Sequence, residues 1–313
     1  MTSLQSTAPT QRMAFIRDLS PTAKAALLML VSTVMFAFMN VVVRLCAEAL
    51  PPTEVAFFRC FFSLLVMLPW IARYGVSSMK TQRIKLYSLR AMLAIVSMIC
   101  WFTAVSTIPL AEATALSFTG PLFATAGAAL ILRENVGWRR WSAVAAGFAG
   151  VLIVVRPGAM TLSLGAGLAL ASALLAAAGM LMVKSLSRTE PTPAIVAYMM
   201  IYLTPLSLIA ALPVWQWPPL LLLPWLILLG VVGAVAHLCF THALATADAS
   251  AIMPYDYLRL PAAAAMAYLI FAEVPTIWTW IGGAVIALST MYIAQREMAK
   301  RRQQRAPDIP PGA

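Results

Sequence analysis

Ten separate runs of about 20 apolar residues constrain this 313-residue chain more than any other feature of its sequence. A helix needs about 20 such residues to cross the ~30 Å hydrocarbon core of a bilayer. Only 11% of the residues are charged and 62% are apolar, which excludes a soluble enzyme and a disordered chain. We therefore predict an all-α polytopic membrane protein with ten transmembrane helices, here called spans 1 to 10. The spans cover residues 25–44, 53–72, 86–107, 111–132, 138–155, 164–183, 193–212, 220–244, 249–272 and 276–294.

The distribution of basic residues predicts how the spans are oriented. With an even number of spans both termini lie on one side, and 18 of the 22 Lys and Arg residues then belong to the tails and loops of that side. Such an excess marks the cytoplasmic face, so the sequence predicts a multi-pass protein of a bacterial inner membrane with cytoplasmic N- and C-termini. The net charge of +11 therefore reflects membrane topology and does not indicate a nucleic-acid partner.

Motifs for catalysis and metal binding are missing from the sequence. It contains no Gly-Lys dipeptide of a Walker A loop, no HExxH and no GxSxG. The four cysteines are widely spaced without a Cys-x-x-Cys pair, which favours buried thiols over disulfides or metal ligands. We predict no enzymatic activity, no cofactor and no metal.

The two halves of the chain resemble each other at an offset near 140 residues. The VVVR of residues 41–44 corresponds to the LMVK of residues 181–184, and the AEATA of residues 111–115 corresponds to the ADASA of residues 247–251. Because each copy contains five spans, an odd number, the second copy enters the membrane from the opposite side. Two inverted five-helix repeats are typical of alternating-access transporters, whose substrate site lies near the midplane between the repeats.

Individual residues strengthen this interpretation. Arg59 early in span 2, Pro121 within span 4, and Glu134 and Glu273 before spans 5 and 10 resemble the drug/metabolite transporter superfamily, and more narrowly its EamA branch. The resemblance implies a secondary carrier for a small organic solute, without naming the substrate. It also implies the following organisation: a cytoplasmic tail at 1–23, EamA repeats at 24–157 and 163–295, and a basic cytoplasmic tail at 296–313.

Span 9 is the richest in polar residues, which are costly at membrane depth. Asp256 and Arg259 are three residues apart and share a helix face, with Tyr255 one turn from Arg259. Pro254 and Pro261 each remove a backbone hydrogen bond, which predicts a bent or broken helix. The charged pair has two interpretations: an ion pair that holds span 9 against a neighbour, or a substrate contact. We predict that Tyr255, Asp256 and Arg259 bind substrate.

Other substrate-binding candidates lie in spans 1, 4 and 8. Asn40 of span 1, predicted to lie near mid-depth in the membrane, forms either an interhelical hydrogen bond or a substrate contact. Ser117 and Pro121 belong to a polar face of span 4 that suits close helix packing and a pore lining equally well. His237 in span 8 has either a structural role or a role in proton coupling, because histidine titrates near neutral pH. His242 lies about 140° around the helix from it, which argues against a metal site.

Four further ionisable residues are predicted to have gating or structural roles: Arg44, Arg59, Glu134 and Glu273. We expect Arg44 to reach the outer headgroups or to pair with Glu48. For Arg59, a pair with Glu54 competes with a role at the outer gate. The two glutamates precede spans 5 and 10, where carboxylates complement the helix dipole.

Together these features predict a secondary transporter of the inner membrane. We favour an amino acid or an amino-acid-derived zwitterion as substrate, because a paired Asp256 and Arg259 can exchange partners with its amine and carboxylate. The alternative is an uptake carrier for riboflavin, another aromatic metabolite or S-adenosylmethionine. A membrane enzyme acting on lipid and a channel are the rival classes. The partners are a small-molecule substrate and the lipid bilayer, while proton coupling and a homodimer stay open.

Overall fold

The computed structural model of the protein describes residues 21–74, 81, 83–130, 138–156, 163–186, 192–246 and 255–305. Every regular element in these ranges is helical. The α-helices are α1 (Pro21–Ala47), α2 (Pro52–Tyr74), α3 (Ile84–Thr107), α4 (Leu110–Ser117), α5 (Gly120–Leu130), α6 (Trp138–Val155), α7 (Leu164–Leu186), α8 (Thr192–Ala211), α9 (Leu223–Thr246), α10 (Arg259–Phe271) and α11 (Ile277–Arg305). Two short 3-10 turns, Leu212–Val214 and Leu220–Leu222, connect α8 to α9.

The helices correspond to the predicted spans and confirm an all-α polytopic membrane protein. By length and composition, five segments are sufficient to cross a membrane: Ala23–Ala47, Pro52–Pro69, Ile84–Thr107, Ala197–Val214 and Leu220–Ala243. Shorter apolar helices form spans 5, 6, 9 and 10. Large aliphatic side chains face outward, with Leu269 and Leu288 exposed by 78% and 67%. Contiguous apolar surface of this kind is stable only when lipid covers it.

Helix packing follows the internal repeat. The repeat relates each span to the span five positions away along the chain. It therefore relates the pair of α1 and α9 (spans 1 and 8) to the pair of α7 and α3 (spans 6 and 3), and the helices of both pairs are extensively packed. The Ser32 hydroxyl of α1 donates a hydrogen bond to the carbonyl oxygen of Ala236 in α9 at 3.0 Å, and Ser97 of α3 donates to that of Ser172 in α7 at 3.0 Å. Ser172 follows Ser32 by the offset of the repeat. Equivalent positions therefore hold equivalent helix pairs together, as two inverted repeats require.

Spans 5 and 10, which are each other's counterparts in the two repeats, pack against each other as α6 and α11. Glycines set the distance between these two helices. A Cβ atom on Gly282 of α11 would lie 2.6 Å from the carbonyl oxygen of Gly150 in α6 and 2.5 Å from Val154. A Cβ atom on Gly150 would lie 2.9 Å from the carbonyl oxygen of Gly282. The small-residue pattern of span 5 at Gly150 therefore serves a close helix contact within one chain.

Span 4, predicted as one helix, consists of two helices, α4 and α5. Pro121 has no backbone N–H to donate to the carbonyl of Ser117, four residues before it, so the helix cannot continue through this point. Phe118 and Thr119 form the turn between the two helices. The Thr119 hydroxyl donates to the carbonyl oxygen of Leu116 at 2.7 Å, which satisfies an acceptor inside a hydrocarbon environment.

The described part of span 9 is also interrupted. Tyr257 and Leu258 form a turn, and α10 begins only at Arg259. Pro261 is the third residue of α10, where a missing N–H costs little because the first N–H groups of a helix have no intrahelical acceptor. Pro254 lies outside the described residues. Spans 4 and 9 are symmetry counterparts, so the two interruptions are placed equivalently in the two repeats.

We predict that Gly282→Ala lowers the stability of the protein, because the added methyl group overlaps the Gly150 backbone. Overpacking of this kind costs about 1–3 kcal/mol. Thermal unfolding in detergent measures the effect. Gly167→Ala in α7 is the matched control, because a Cβ atom there meets no atom within 4 Å. Equal melting temperatures for the two variants would contradict the close α6–α11 contact.

Candidate functional site

Arg259 begins α10 directly after the turn in span 9, and its guanidinium is paired with the carboxylate of Asp256. The structure thus brings together the two charged residues that the spacing places on one face. Both side chains are largely buried. Because Asp256 precedes the turn and Arg259 follows it, the ion pair closes the turn and neutralises two charges that would otherwise be costly at this depth.

Two aromatic rings flank the Arg259 guanidinium. Its Cζ atom lies 5.6 Å from the ring centre of Phe36 in α1 and 5.8 Å from that of Phe118, which occupies the break between α4 and α5. Phe118 also makes an edge-to-face contact with Tyr257 at 5.0 Å. We call Phe36, Phe118, Asp256, Tyr257 and Arg259 the Arg259 cluster. The cluster joins the interruptions of spans 4 and 9, where one repeat meets the other.

One donor of the cluster remains available. The Nε–H of Arg259 is buried and finds no hydrogen-bond acceptor among the residues that the structure describes. Cation–π contacts satisfy the faces of a guanidinium but not its N–H groups, which lie in its plane. The cluster can therefore offer a ligand aromatic surface together with a hydrogen-bond donor.

The segment before α10 is anchored on both sides. The carbonyl oxygen of Tyr255 accepts a hydrogen bond from the Thr33 hydroxyl of α1 at 3.4 Å. The Tyr257 hydroxyl is hydrogen-bonded to Thr290 of α11, whose own hydroxyl donates to the carbonyl of Ala287. Tyr257 is therefore the donor of that bond. The hydrogen bond to α1 therefore uses the backbone of Tyr255, while its side chain packs against the apolar cluster of Ala25, Met29 and Ala243.

His237 and Asn40 lie beside the cluster. His237 of α9 makes an edge-to-face contact with Phe36 at 5.0 Å between ring centres. The buried Asn40 accepts a hydrogen bond on its amide oxygen from the Trp101 indole N–H of α3 at 3.1 Å. Asn40 thus forms an interhelical hydrogen bond, which was one of the two roles expected for it. Asn40 lies one turn from Phe36, and its hydrogen bond holds the Trp101 ring near that position.

Ser117 and Pro121 act locally in the structure. The Ser117 hydroxyl donates to the carbonyl oxygen of Thr114 in its own helix at 2.7 Å. Pro121 ends the hydrogen-bond pattern of α4 and so creates the turn that carries Phe118. Pro121 therefore places an aromatic side chain of the cluster, whereas the Ser117 hydroxyl satisfies a carbonyl of its own helix. Sequence reasoning missed Phe36 and Phe118 as site residues, although Phe36 lies one turn from Asn40 and Phe118 next to Ser117.

At the end of α1, Arg44 pairs with Glu273 and not with Glu48, which corrects the expected pair. The distance from Arg44 Nη2 to Glu273 Oε1 is 2.5 Å, and the guanidinium also lies 4.9 Å from the ring centre of Phe271. The second oxygen of Glu273 accepts the N–H of Leu110 at 3.2 Å. Leu110 is the first residue of α4, so Glu273 complements the dipole of α4 and not that of α11, which starts four residues later.

The expected pair of Arg59 with Glu54 does not form. Glu54 accepts the backbone N–H of Gln216 at 2.7 Å, whereas Arg59 directs Nη1 to the Met98 sulfur at 3.4 Å. Five residues separate the two on α2, which turns their side chains about 140° apart. Glu134 lies outside the described residues.

Comparisons with known proteins identify similar chains. The sequence model described as "EamA-like transporter family" matches residues 23–156 and 163–295. A riboflavin transporter of Vibrio cholerae is 36% identical over 90% of this chain and 96% of its own length. An S-adenosylmethionine uptake transporter of Rickettsia bellii is 34% identical over 78% of this chain and 84% of its own length. A solved structure with 16% identity has a TM-score of 0.61 and covers 88% of this chain and 99% of that chain, which supports the fold alone.

We predict that Arg44 and Glu273 stabilise the protein as a coupled pair. Arg44→Glu places two carboxylates together and should lower the melting temperature in detergent, and adding Glu273→Arg should recover most of the loss. Side chains in contact have coupling energies of about 0.5–3 kcal/mol in such double-mutant cycles. The same exchange between Arg44 and Glu48 is the control and should show no coupling. Coupling to Glu48 instead of Glu273 would contradict the observed pair.

Proposed function

The chain belongs to the EamA-like transporter family, and on that premise we propose that it carries riboflavin, or a closely similar neutral heteroaromatic metabolite, across a bacterial membrane. That the protein is a transporter for a small metabolite follows directly from the comparisons. The relatives are transporters of small metabolites, so the prediction of a transporter and not an enzyme is confirmed, as is the predicted family. A multi-pass location in a bacterial membrane follows from the same relatives.

The relatives favour the alternative substrate over the first choice. They include riboflavin and S-adenosylmethionine transporters, and they do not support the amino-acid substrate. A pseudopaline exporter of Pseudomonas aeruginosa, 27% identical over 86% of this chain and 95% of its own length, is more distant. The choice between the two uptake substrates therefore depends on the chemistry of the site.

The Arg259 guanidinium contacts the rings of both Phe36 and Phe118, and this arrangement supports the proposal most directly. Its charge is already neutralised by Asp256, so neither residue has to be compensated by a charged ligand. Aromatic faces and a spare Nε–H donor suit a flat, uncharged ring system with hydrogen-bond acceptors on its edge. The isoalloxazine ring of riboflavin has this chemistry.

Electrostatics disfavours S-adenosylmethionine at this site. Asp256 neutralises Arg259, whereas the buried Arg59 has no carboxylate partner among the described residues and leaves a net positive charge. S-adenosylmethionine has a sulfonium and an ammonium group against one carboxylate, so its net charge is positive. Like charges in a region of low dielectric repel strongly, which selects against this substrate.

For the transport cycle we propose alternating access between the two repeats. The Arg259 cluster lies where the interruptions of spans 4 and 9 meet, and broken helices are where transporters of this architecture bind substrate. The pair of Arg44 with Glu273 ties the end of α1 to the chain after α10 and to the start of α4. Opening the bundle at this end requires the pair to separate, which gives both residues the role of a gate.

We predict that proteoliposomes containing the protein take up labelled riboflavin in a saturable manner and faster when preloaded with unlabelled riboflavin. A large excess of S-adenosylmethionine should not compete. The double variant Asp256→Asn with Arg259→Gln removes both charges together and should reduce uptake at least about tenfold, because a hydrogen bond from a charged donor is lost. Arg139→Gln, an exposed arginine at the start of α6, is the matched control and should transport normally. Uptake of S-adenosylmethionine without riboflavin would refute the proposal.

A further inference from the structure

Arg59 is a buried cation without a counterion. Its side chain in α2 is 3% exposed, and no carboxylate pairs with it among the residues that the structure describes. Its Nε–H has no acceptor there, and Nη1 contacts only sulfur atoms, Met98 Sδ at 3.4 Å and the free thiol of Cys60 at 4.0 Å. Sulfur is a weak acceptor, and a guanidinium has five N–H donors. Most of the hydrogen-bonding capacity of Arg59 is therefore unused.

The protein makes room for this side chain. A Cβ atom on Gly233 of α9 would lie 3.3 Å from Arg59 Nε and 3.5 Å from the sulfur of Met39 in α1. Together with Met98 of α3, these contacts place the guanidinium where α1, α2, α3 and α9 meet. A buried charge at such a junction is costly in a membrane protein and needs a reason beyond packing.

The helices around Arg59 are those that carry the proposed site. Asn40 follows Met39 directly on α1, and His237 lies one turn after Gly233 on α9. His237 contacts Phe36 of the Arg259 cluster, and Phe36 in turn contacts the Arg259 guanidinium. Arg59 therefore belongs to the same region of the bundle as Arg259, but it lacks the carboxylate that Arg259 has.

We infer that Arg59 is a specificity-determining residue of the site: its planar guanidinium donates to two neighbouring acceptors on the edge of the substrate's heteroaromatic ring. The inference rests on the proposed riboflavin function. A guanidinium donates two parallel hydrogen bonds to acceptors that lie side by side, which a lysine ammonium cannot do. Riboflavin presents two such pairs, the C4 carbonyl with N5 and the C2 carbonyl with N1. The free donors of Arg59 supply what a neutral, acceptor-rich ring requires.

This role is distinct from a structural one. A structural arginine has its donors satisfied by protein, as Arg44 has by Glu273 and by the carbonyl oxygen of Ile108. Removing Arg44 breaks those bonds, whereas removing the Arg59 charge breaks only weak contacts to sulfur. The substrate-free protein should therefore tolerate an apolar side chain at position 59, because the buried charge disappears without leaving an unpaired partner.

The test uses the full-length protein in detergent with Arg59→Met. We expect a melting temperature at least equal to that of the wild type without ligand. Calorimetric titration should give a riboflavin Kd about 10- to 100-fold higher. The wild type should prefer riboflavin to 1-deazariboflavin or to 5-deazariboflavin, each of which lacks one ring acceptor. Arg59→Met should lose that preference, and so should Arg59→Lys, which keeps the charge without the planar pair of donors.

Arg90→Met is the matched control. Arg90 of α3 also directs its guanidinium to a methionine sulfur, that of Met199 in α8, at 3.3 Å. The Arg90→Met variant should retain the wild-type preference for riboflavin over the deaza analogues.

Each contrary result has its own meaning. A lowered melting temperature of Arg59→Met would make the residue structural and overturn the inference. A stable Arg59→Met or Arg59→Lys with the wild-type preference would overturn it while the riboflavin proposal stands. Absence of riboflavin binding by the wild type would instead refute the proposed function, and the assignment of Arg59 with it.

Discussion

Polar groups inside a bilayer have no water to satisfy them, and the described structure is organised around this constraint. The two interruptions in the bundle, in spans 4 and 9, release backbone and side-chain polar groups at membrane depth. The Thr119 hydroxyl donates to the carbonyl oxygen of Leu116 in the first interruption, and the ion pair of Asp256 with Arg259 closes the second. Because the repeat places the interruptions at equivalent positions, the groups that need partners come together at one point.

The surrounding helices make that point rigid by the same means. Hydroxyl-to-carbonyl bonds join α1 to α9 and α3 to α7, and the Ser63 hydroxyl of α2 donates to the carbonyl oxygen of Gly230 in α9 at 2.8 Å. Glycine lets the helices approach closely enough for such bonds, since a Cβ atom on Gly230 would lie 2.2 Å from Phe62. All three bonds join a helix of one repeat to a helix of the other, so they hold the two repeats together.

The largely buried arginines differ in how far other protein groups satisfy their charge and their N–H donors. Arg44 and Glu273 satisfy each other and also bind backbone groups at the ends of α3 and α4, so they hold helix ends together. Arg259 is neutralised but keeps one free N–H, and Arg59 has neither a carboxylate nor a strong acceptor among the described residues. The degree of satisfaction separates the residues that hold the fold from those that we propose contact the substrate.

The amino-acid sequence by itself determined the class of protein, the number of spans, the repeat and the family, because hydropathy and offset are properties of the chain. It also predicted that Asp256 and Arg259 lie close together, because they are three residues apart, although a turn and not a continuous helix joins them in the structure. The partner of Arg44 lies in the other repeat, and Phe36 and Phe118 reach Arg259 from spans 1 and 4. Only the tertiary structure decided these contacts, because the rotation and packing of helices determine which faces meet.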